Sequence, residues 1–387
     1  MVRPVDLPLM SAPIWMSPET TSVNRLPMLN IAHLMSISLD GEWNFQLLDN
    51  PYQEPNKHWK TIPVPGLWTM INGKQPFGDK PIYTNTQMPW DQLPPTVPQE
   101  NPTGIYEREF SLPSSWKNKR VVLHLGGFES VAVVAINGDE VGVGKDSHLA
   151  SEFDITDFLI DGSNRIQIKV IKWSDATFIE DQDQWWHGGI SRTVRLYATE
   201  KVFIERLYLT PGLLQDNKTG TLRVRAHIGS ISEANILEHK LRVKVLEVKG
   251  AVATAPVTSR KSPIWTERTA DEKRANDGRF LGRYWDGNIP KADAAALQGT
   301  RAVIPGPLEF DITVPGVKAW SAETPSLYEV EIELVDPSGQ VIEITQQKIG
   351  FRRIEVKGID FLVNGAPVIF YGINRHDFNK ESGRVLT

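Results

Sequence analysis

The chain has 387 residues, enough for two or three domains with cores of their own. With 40% hydrophobic and 23% charged residues it has an ordinary globular balance, and its net charge of −5 gives no reason to expect nucleic acid or an anionic membrane surface as a partner. There is no cysteine, which excludes disulfides and thiolate metal sites and fits a reducing compartment. The first residues, MVRPVDLPLMSAPIWMSPE, carry prolines where a secretory signal needs an unbroken apolar run. No stretch approaches the ~20 apolar residues of a membrane span, so a cytoplasmic location and no membrane partner are expected. Twelve tryptophans stand out. Core packing and stacking against sugar rings both use indoles.

Residues 1–35 show no period and are read as an N-terminal arm. From Ser36 the pattern turns to short strands. WNFQLL follows the turn residues Asp40-Gly41, and IYEREFSL alternates. VVLHLGGF, VAVVAINGDEVGVG, RIQIKVIKW and TVRLYATE follow, with the strongest hairpin signal at Asn137-Gly138. Strands at this spacing, without long helical stretches, predict an all-β sandwich.

A second β region opens near Lys201. VFIERLYLTP, GTLRVRAHIG, KLRVKVLEV, LEFDITVP and LYEVEIELVD predict an immunoglobulin-like sandwich. A charged insertion over 258–298 interrupts it and is read as a solvated loop. The sequon at Asn217 is set aside, since no secretion signal accompanies it.

The last segment, DFLVNGAPVIFYGINRHDF, has a turn at Asn364-Gly365 and then an apolar run, Val368 to Ile373. Such a run predicts a strand buried on both faces. Polar residues Asn374 to Asp377 at its end resemble the site face of a (β/α)₈ barrel, which takes ~250 residues in all.

The densest stretch is EDQDQWWHGGISR, Glu180 to Arg192, between two predicted strands. Asp183 is either a turn aspartate bonded to backbone amides or a site residue. Asp181 shares its side on an extended segment but is read as structural, and Glu180 is read as structural or solvent-exposed. Trp185 is assigned to packing, while Trp186 is left open between packing and a site. His187 is read as a hydrogen-bonded turn residue rather than a ligand. Gly188-Gly189 are read as allowing positive φ or close packing. Asp146 and Glu152 are given no site role.

The residues that carry a resemblance are LDGEWNF, VPGLW, PIYTNTQMPW, ENPTGIYEREF, INGDEVGVGKDSHLASEFDIT, WSDATFIEDQDQWWHGGISRTVRLY, WSAETPSLY, GFRRIEV and INRHDF. In that order and spacing the chain resembles the N-terminal part of glycoside hydrolase family 2, in particular its large bacterial β-galactosidases. The TN and DQDxW motifs favour these over β-glucuronidases and β-mannosidases.

The resemblance implies a mostly β architecture. An N-terminal arm (1–35) precedes a jelly-roll sugar-binding domain (36–200) and an immunoglobulin-like sandwich (201–350). The first strand of a catalytic (β/α)₈ barrel (351–387) follows. It implies a retaining mechanism by two glutamates held ~5 Å apart. In the family both lie on the barrel beyond the position of Thr387, so no catalytic residue is assigned and the chain alone is expected to be inactive. Asn85, Asp183 and His376 match family residues that bind the sugar, and Asp183 also matches a sodium (Na+) ligand. Ligands of the family's magnesium (Mg2+) site fall outside the chain. Arg375 is read as pairing with a barrel carboxylate. The implied partners are β-galactosides, the remainder of the barrel or a complementing fragment, and further copies in a full-length homo-oligomer. The alternative is a non-catalytic carbohydrate-binding module. A weaker third reading is a structural fragment whose orphan run PVIFYGI is prone to aggregate.

Overall fold

A computed structural model describes residues 13–27, 31–84, 88–180, 183–231, 236–257 and 308–386. The chain divides into two compact units, one of residues 1–28, 35–198 and 373–387, the other of residues 29–34 and 199–372. Every described strand pairing of the two units is antiparallel. Among the described residues no helix is long and apolar enough to cross a membrane.

The first unit is a jelly-roll sandwich. Its larger sheet has seven strands, in the order Ser22–Val23, Asp139–Gly144, Val131–Ile136, Ser163–Ile171, Thr103–Ser111, Gly41–Leu48, Lys60–Val64. Its smaller sheet runs Ser151–Asp154, Arg120–Leu125, Val194–Thr199, Ser36–Ser38. Asn137 and Gly138 turn at φ 55° and 94°, the left-handed geometry a two-residue hairpin requires. The strand before that turn explains its own unbroken apolar sequence. Ala132, Val134 and Ile136 face the main core with Trp43, Phe45, Trp68 and Phe153. Val131 and Val133 face a second cluster with Ile14, Trp15, Trp173 and Trp186. Several of the tryptophans are thus used to cover the outer face of a sheet buried on both sides.

Residues 13–27 of the N-terminal arm are woven into this unit, whereas residues 31–34 belong to the second. Ser22 and Val23 pair with Gly144 and Val143 as an edge strand. Arg25 bonds Asp146 and the Lys145 and Ala150 carbonyls. Such pairing is set by residues more than a hundred positions away, which is why no period announces it.

The second unit packs two sheets of three and four strands. One is Val202–Leu213, Gly220–Ser230, Leu308–Val314, and the other Val252–Pro256, Lys240–Val245, Tyr328–Val335, Val341–Ile349. Seven strands in this division match an immunoglobulin-like sandwich. Its core joins Leu222, Val224, Leu241, Val243, Ile332 and Phe351. The charged insertion falls in 258–307, outside the described residues. A small meander follows, Ile354–Lys357, Asp360–Val363, Ala366–Pro367, turned by Asn364 and Gly365 at φ 55° and 87°.

The predicted buried strand from Val368 to Ile373 is not formed. Val368 donates to the Phe361 carbonyl (2.9 Å), and beyond it the segment takes no regular structure. Ile369, Phe370, Tyr371 and Ile373 are 73–92% exposed. Both edges of Asp360–Val363 are already taken by its neighbours. A doubly buried strand needs partners on both edges and cover on both faces, and the described residues supply neither.

Candidate sugar-binding site

Two distant stretches meet in a short ribbon. Trp185 and Trp186 pair with Tyr83 and Ile82. The approach is prepared by Ser174, whose side chain and that of Thr177 cap the turn Asp175–Phe178 reciprocally. Alternation along the ribbon then sorts the side chains. Trp186 goes inward, packing its ring 5.7 Å from Trp173 and donating Nε1 to the Thr84 hydroxyl at 3.1 Å. Trp185 goes outward, 40% exposed, with its ring 5.5 Å from Tyr83.

The same pairing delivers Asp183. The Tyr83 hydroxyl donates to its Oδ1, and this bond raises the Tyr83 pKa above the usual phenol value. Asp183 is exposed, held by the hydroxyl of a tyrosine whose ring packs on Trp185. Tyr83 is the residue that motif reading passed over. Its place two positions before Asn85 was the available signal. Asn85 and Asp181 themselves lie outside the described residues.

Beneath the ribbon, the loop is fixed by close packing. Trp68 donates its backbone N–H to the Gly188 carbonyl (3.0 Å), and a Cβ on Gly188 would sit 2.2 Å from Cζ2 of Trp68. Gly189 has φ +136° and lies against the Gly66 carbonyl. The two glycines therefore serve packing and backbone geometry, as their chemistry suggested. Glu180 is structural, accepting from the Ser147 backbone N–H at 2.9 Å. Under Trp68, its Nε1 donates to Asp79 Oδ2 (2.7 Å), and Asp79 also holds the Lys172 ammonium at 2.8 and 2.9 Å. Burial pushes the Lys172 pKa down, and its partner Asp79 opposes that shift.

His187 is 1% exposed. Its Nδ1 bonds the Thr69 hydroxyl (2.8 Å), and its backbone N–H donates to Glu129 Oε2 (3.0 Å). It is a packed, bonded residue, as read from the sequence. Burial lowers its pKa to about 4. The unfolded chain, with a histidine near 6.5, therefore binds more protons between the two values. Stability present above pH ~6.5 is lost as pH falls toward ~4, by up to ~3 kcal/mol from this group. Thermal unfolding followed across that window should show a steeper loss in the parent than in His187→Gln. Parallel curves would contradict this assignment.

The cleft beside His187, lined by Glu129, His148, Lys172, Glu180 and Arg384, leaves about 10 Å³ for the centre of a water-sized sphere. That is room for a single water, far short of a sugar. On the other side of the loop Asp183, Tyr83 and Trp185 are exposed. Asp183 offers one hard carboxylate, and among the described residues no group of three or more Asp, Glu, His or Cys is placed to hold a metal ion. Taken alone they do not complete a sodium site, which needs several oxygens.

His376 is exposed. Arg375 beside it pairs with Asp377 at 2.8 Å, a carboxylate of the segment read as the start of the barrel. No other described acid competes for it on this exposed segment. Two residues on, Phe378 reaches the site loop, its ring 6.3 Å from Trp185 and 5.8 Å from His187.

Three family models match the chain in succession: "Glycosyl hydrolases family 2, sugar binding domain" over 37–200, "Glycosyl hydrolases family 2" over 202–352, and "Glycosyl hydrolases family 2, TIM barrel domain" over 354–387. A β-galactosidase of Alteromonas mediterranea is 33% identical over 370 residues, covering 92% of this chain and 31% of that protein. One from Aeromonas hydrophila is 33% identical over 399 residues, covering 96% and 35%. The chain thus spans about a third of the length of the curated relatives it matches. Among solved structures, a Bifidobacterium dentium β-glucuronidase superposes with a TM-score of 0.62 at 18% identity, covering 93% of this chain and 55% of that one. A putative β-galactosidase from Bacteroides fragilis gives 0.63 at 17%, covering 92% and 47%. At these identities the structures speak to the fold alone.

Proposed function

The chain belongs to glycoside hydrolase family 2, and from that premise we propose that it forms the N-terminal, sugar-pocket part of a retaining β-galactosidase. The substrates would be terminal β-D-galactosides of the lactose type. Asp183 would accept from a galactose hydroxyl and, with oxygens from outside the described residues, hold a sodium ion. Asn85 and His376 would complete the polar contacts, and the glutamate pair would come from the barrel. The observation that best supports this reading is the ribbon joining Ile82–Tyr83 to Trp185–Trp186. It holds a carboxylate by a tyrosine hydroxyl at the rim of exposed aromatic rings. A carboxylate fixed by a donor keeps its remaining lone pairs aimed, and charge-assisted bonds to a sugar are the strong ones.

The exposed faces of Tyr83 and Trp185 also favour a second reading, a carbohydrate-binding module without chemistry. It is weaker, because these groups form one wall, and a single wall buries too little of a sugar to bind it well.

One assay separates the readings from a self-sufficient enzyme. Purified chain incubated with an aryl β-galactoside or lactose should release no product. Glucose release at an enzyme-like rate would overturn the proposal. Galactose titrated calorimetrically should give no saturable heat through the high millimolar range, whereas a binding module would saturate.

A further inference from the structure

Resting on the proposed function, we infer that residues Phe378 to Arg384 form a latch that registers the His376 segment on the Asp183 loop, with Glu129 as the positioning residue that receives both. Glu129 is 5% exposed, and its two carboxylate oxygens are divided between the segments. Oε2 accepts the His187 backbone N–H at 3.0 Å, and Oε1 accepts Nη1 of Arg384 at 2.7 Å. One buried anion thereby ties together two stretches of chain, each carrying a proposed sugar contact.

The docking has a built shape. Asn379 and Gly383 exchange backbone hydrogen bonds, both 2.8 Å, and close the turn. Asn379 Oδ1 accepts the Glu381 N–H inside it (2.8 Å). The Glu381 carbonyl accepts from Gly73 N–H at 2.8 Å, anchoring the tip. Gly383 sits at φ +64°, and a Cβ there would lie 2.9 Å from Cε1 of His187. Glycine is required twice over, for the left-handed backbone and for the contact. Phe378 stacks on His187 with 29° between the ring planes.

The contrast with the preceding residues is sharp. From Ile369 to Asp377 the segment is exposed, and engagement resumes at Phe378. Asp183 is two residues before Trp185, His376 is two before Phe378, and those aromatic rings touch. Fixing this contact fixes the register between the two polar groups. A pocket assembled from separate segments needs that precision, since small displacements of a positioned group cost much of its effect.

The test uses the full chain, which has no cysteine of its own. Cysteines replacing exposed Ile179, on the site loop, and exposed Lys380, on the latch, take spin labels whose separation is read by pulsed electron resonance. The parent should give a single narrow distance. Glu129→Gln keeps an acceptor for His187 but turns an amide toward the guanidinium, and Arg384→Ala removes the cation. Both should lose the narrow peak, while Arg384→Lys should retain it. Arg384→Ala strands the buried Glu129 carboxylate and should unfold at a lower temperature than the parent, so distances are read well below its unfolding midpoint, which separates loss of register from loss of fold. A broad distribution in the parent, or a narrow one kept in both Glu129→Gln and Arg384→Ala, overturns the latch. The labels report geometry without substrate, so this outcome is independent of whether galactosides are hydrolysed.

Discussion

Lys172→Met is expected to destabilise the sugar-binding unit by about 3–5 kcal/mol, the usual cost of stranding one partner of a buried ion pair. The Lys172 side chain is 1% exposed and that of Asp79 14%. The ammonium also meets the Lys80 carbonyl at 3.2 Å and lies 4.9 Å from the centre of the Trp173 ring. Methionine fills the same volume but leaves the carboxylate facing an apolar wall. Asp79→Asn in the Lys172→Met background should recover more than half of the loss. The amide removes the stranded charge and still accepts from Trp68 Nε1. Chemical denaturation of the two single variants and the double closes the cycle. Simple additivity would mean that the pair is not coupled. The effect bears on function because Trp68 is the floor on which Gly188 rests, and Gly188 belongs to the loop that carries Asp183.

The fold was legible where it is local. Asn137-Gly138 and Asn364-Gly365 announced their hairpins because the left-handed turn selects those residue types. The strand count and alternation gave the sandwich class. The run Val368 to Ile373 misled because its composition states only that it tolerates burial. Whether it pairs is decided by residues elsewhere, and none of those described here pair with it beyond Val368. The N-terminal edge strand was hidden for the same reason, its partner being Val143 and Gly144.

Within the candidate site, His187 and the two glycines were readable from their own chemistry. Tyr83 was not, since its bond to Asp183 spans a hundred positions. Neither was the Glu129–Arg384 pair, which spans 255. Residue type gave no hint that a lone glutamate in a strand would bind two segments at once. The motif match brought Asp183 forward, while the ribbon explains how it is presented.

Asp183→Ala is the substitution with the largest expected effect on activity. In the exposed wall it removes the carboxylate held by Tyr83 and costs the fold little, because no core side chain is lost. On the proposed function, in a pocket closed by the barrel it would remove a charge-assisted bond to the sugar, about 3 kcal/mol or ~100-fold in kcat/KM. The decisive measurement joins residues 1–387 to the barrel-bearing remainder of a similar β-galactosidase and compares the parent with Asp183→Ala on an aryl β-galactoside. The parent should hydrolyse the galactoside, and the variant should lose about two orders of magnitude in kcat/KM while unfolding at the same temperature. Equal kcat/KM in the two would contradict the account, because Asp183 would then not belong to the pocket.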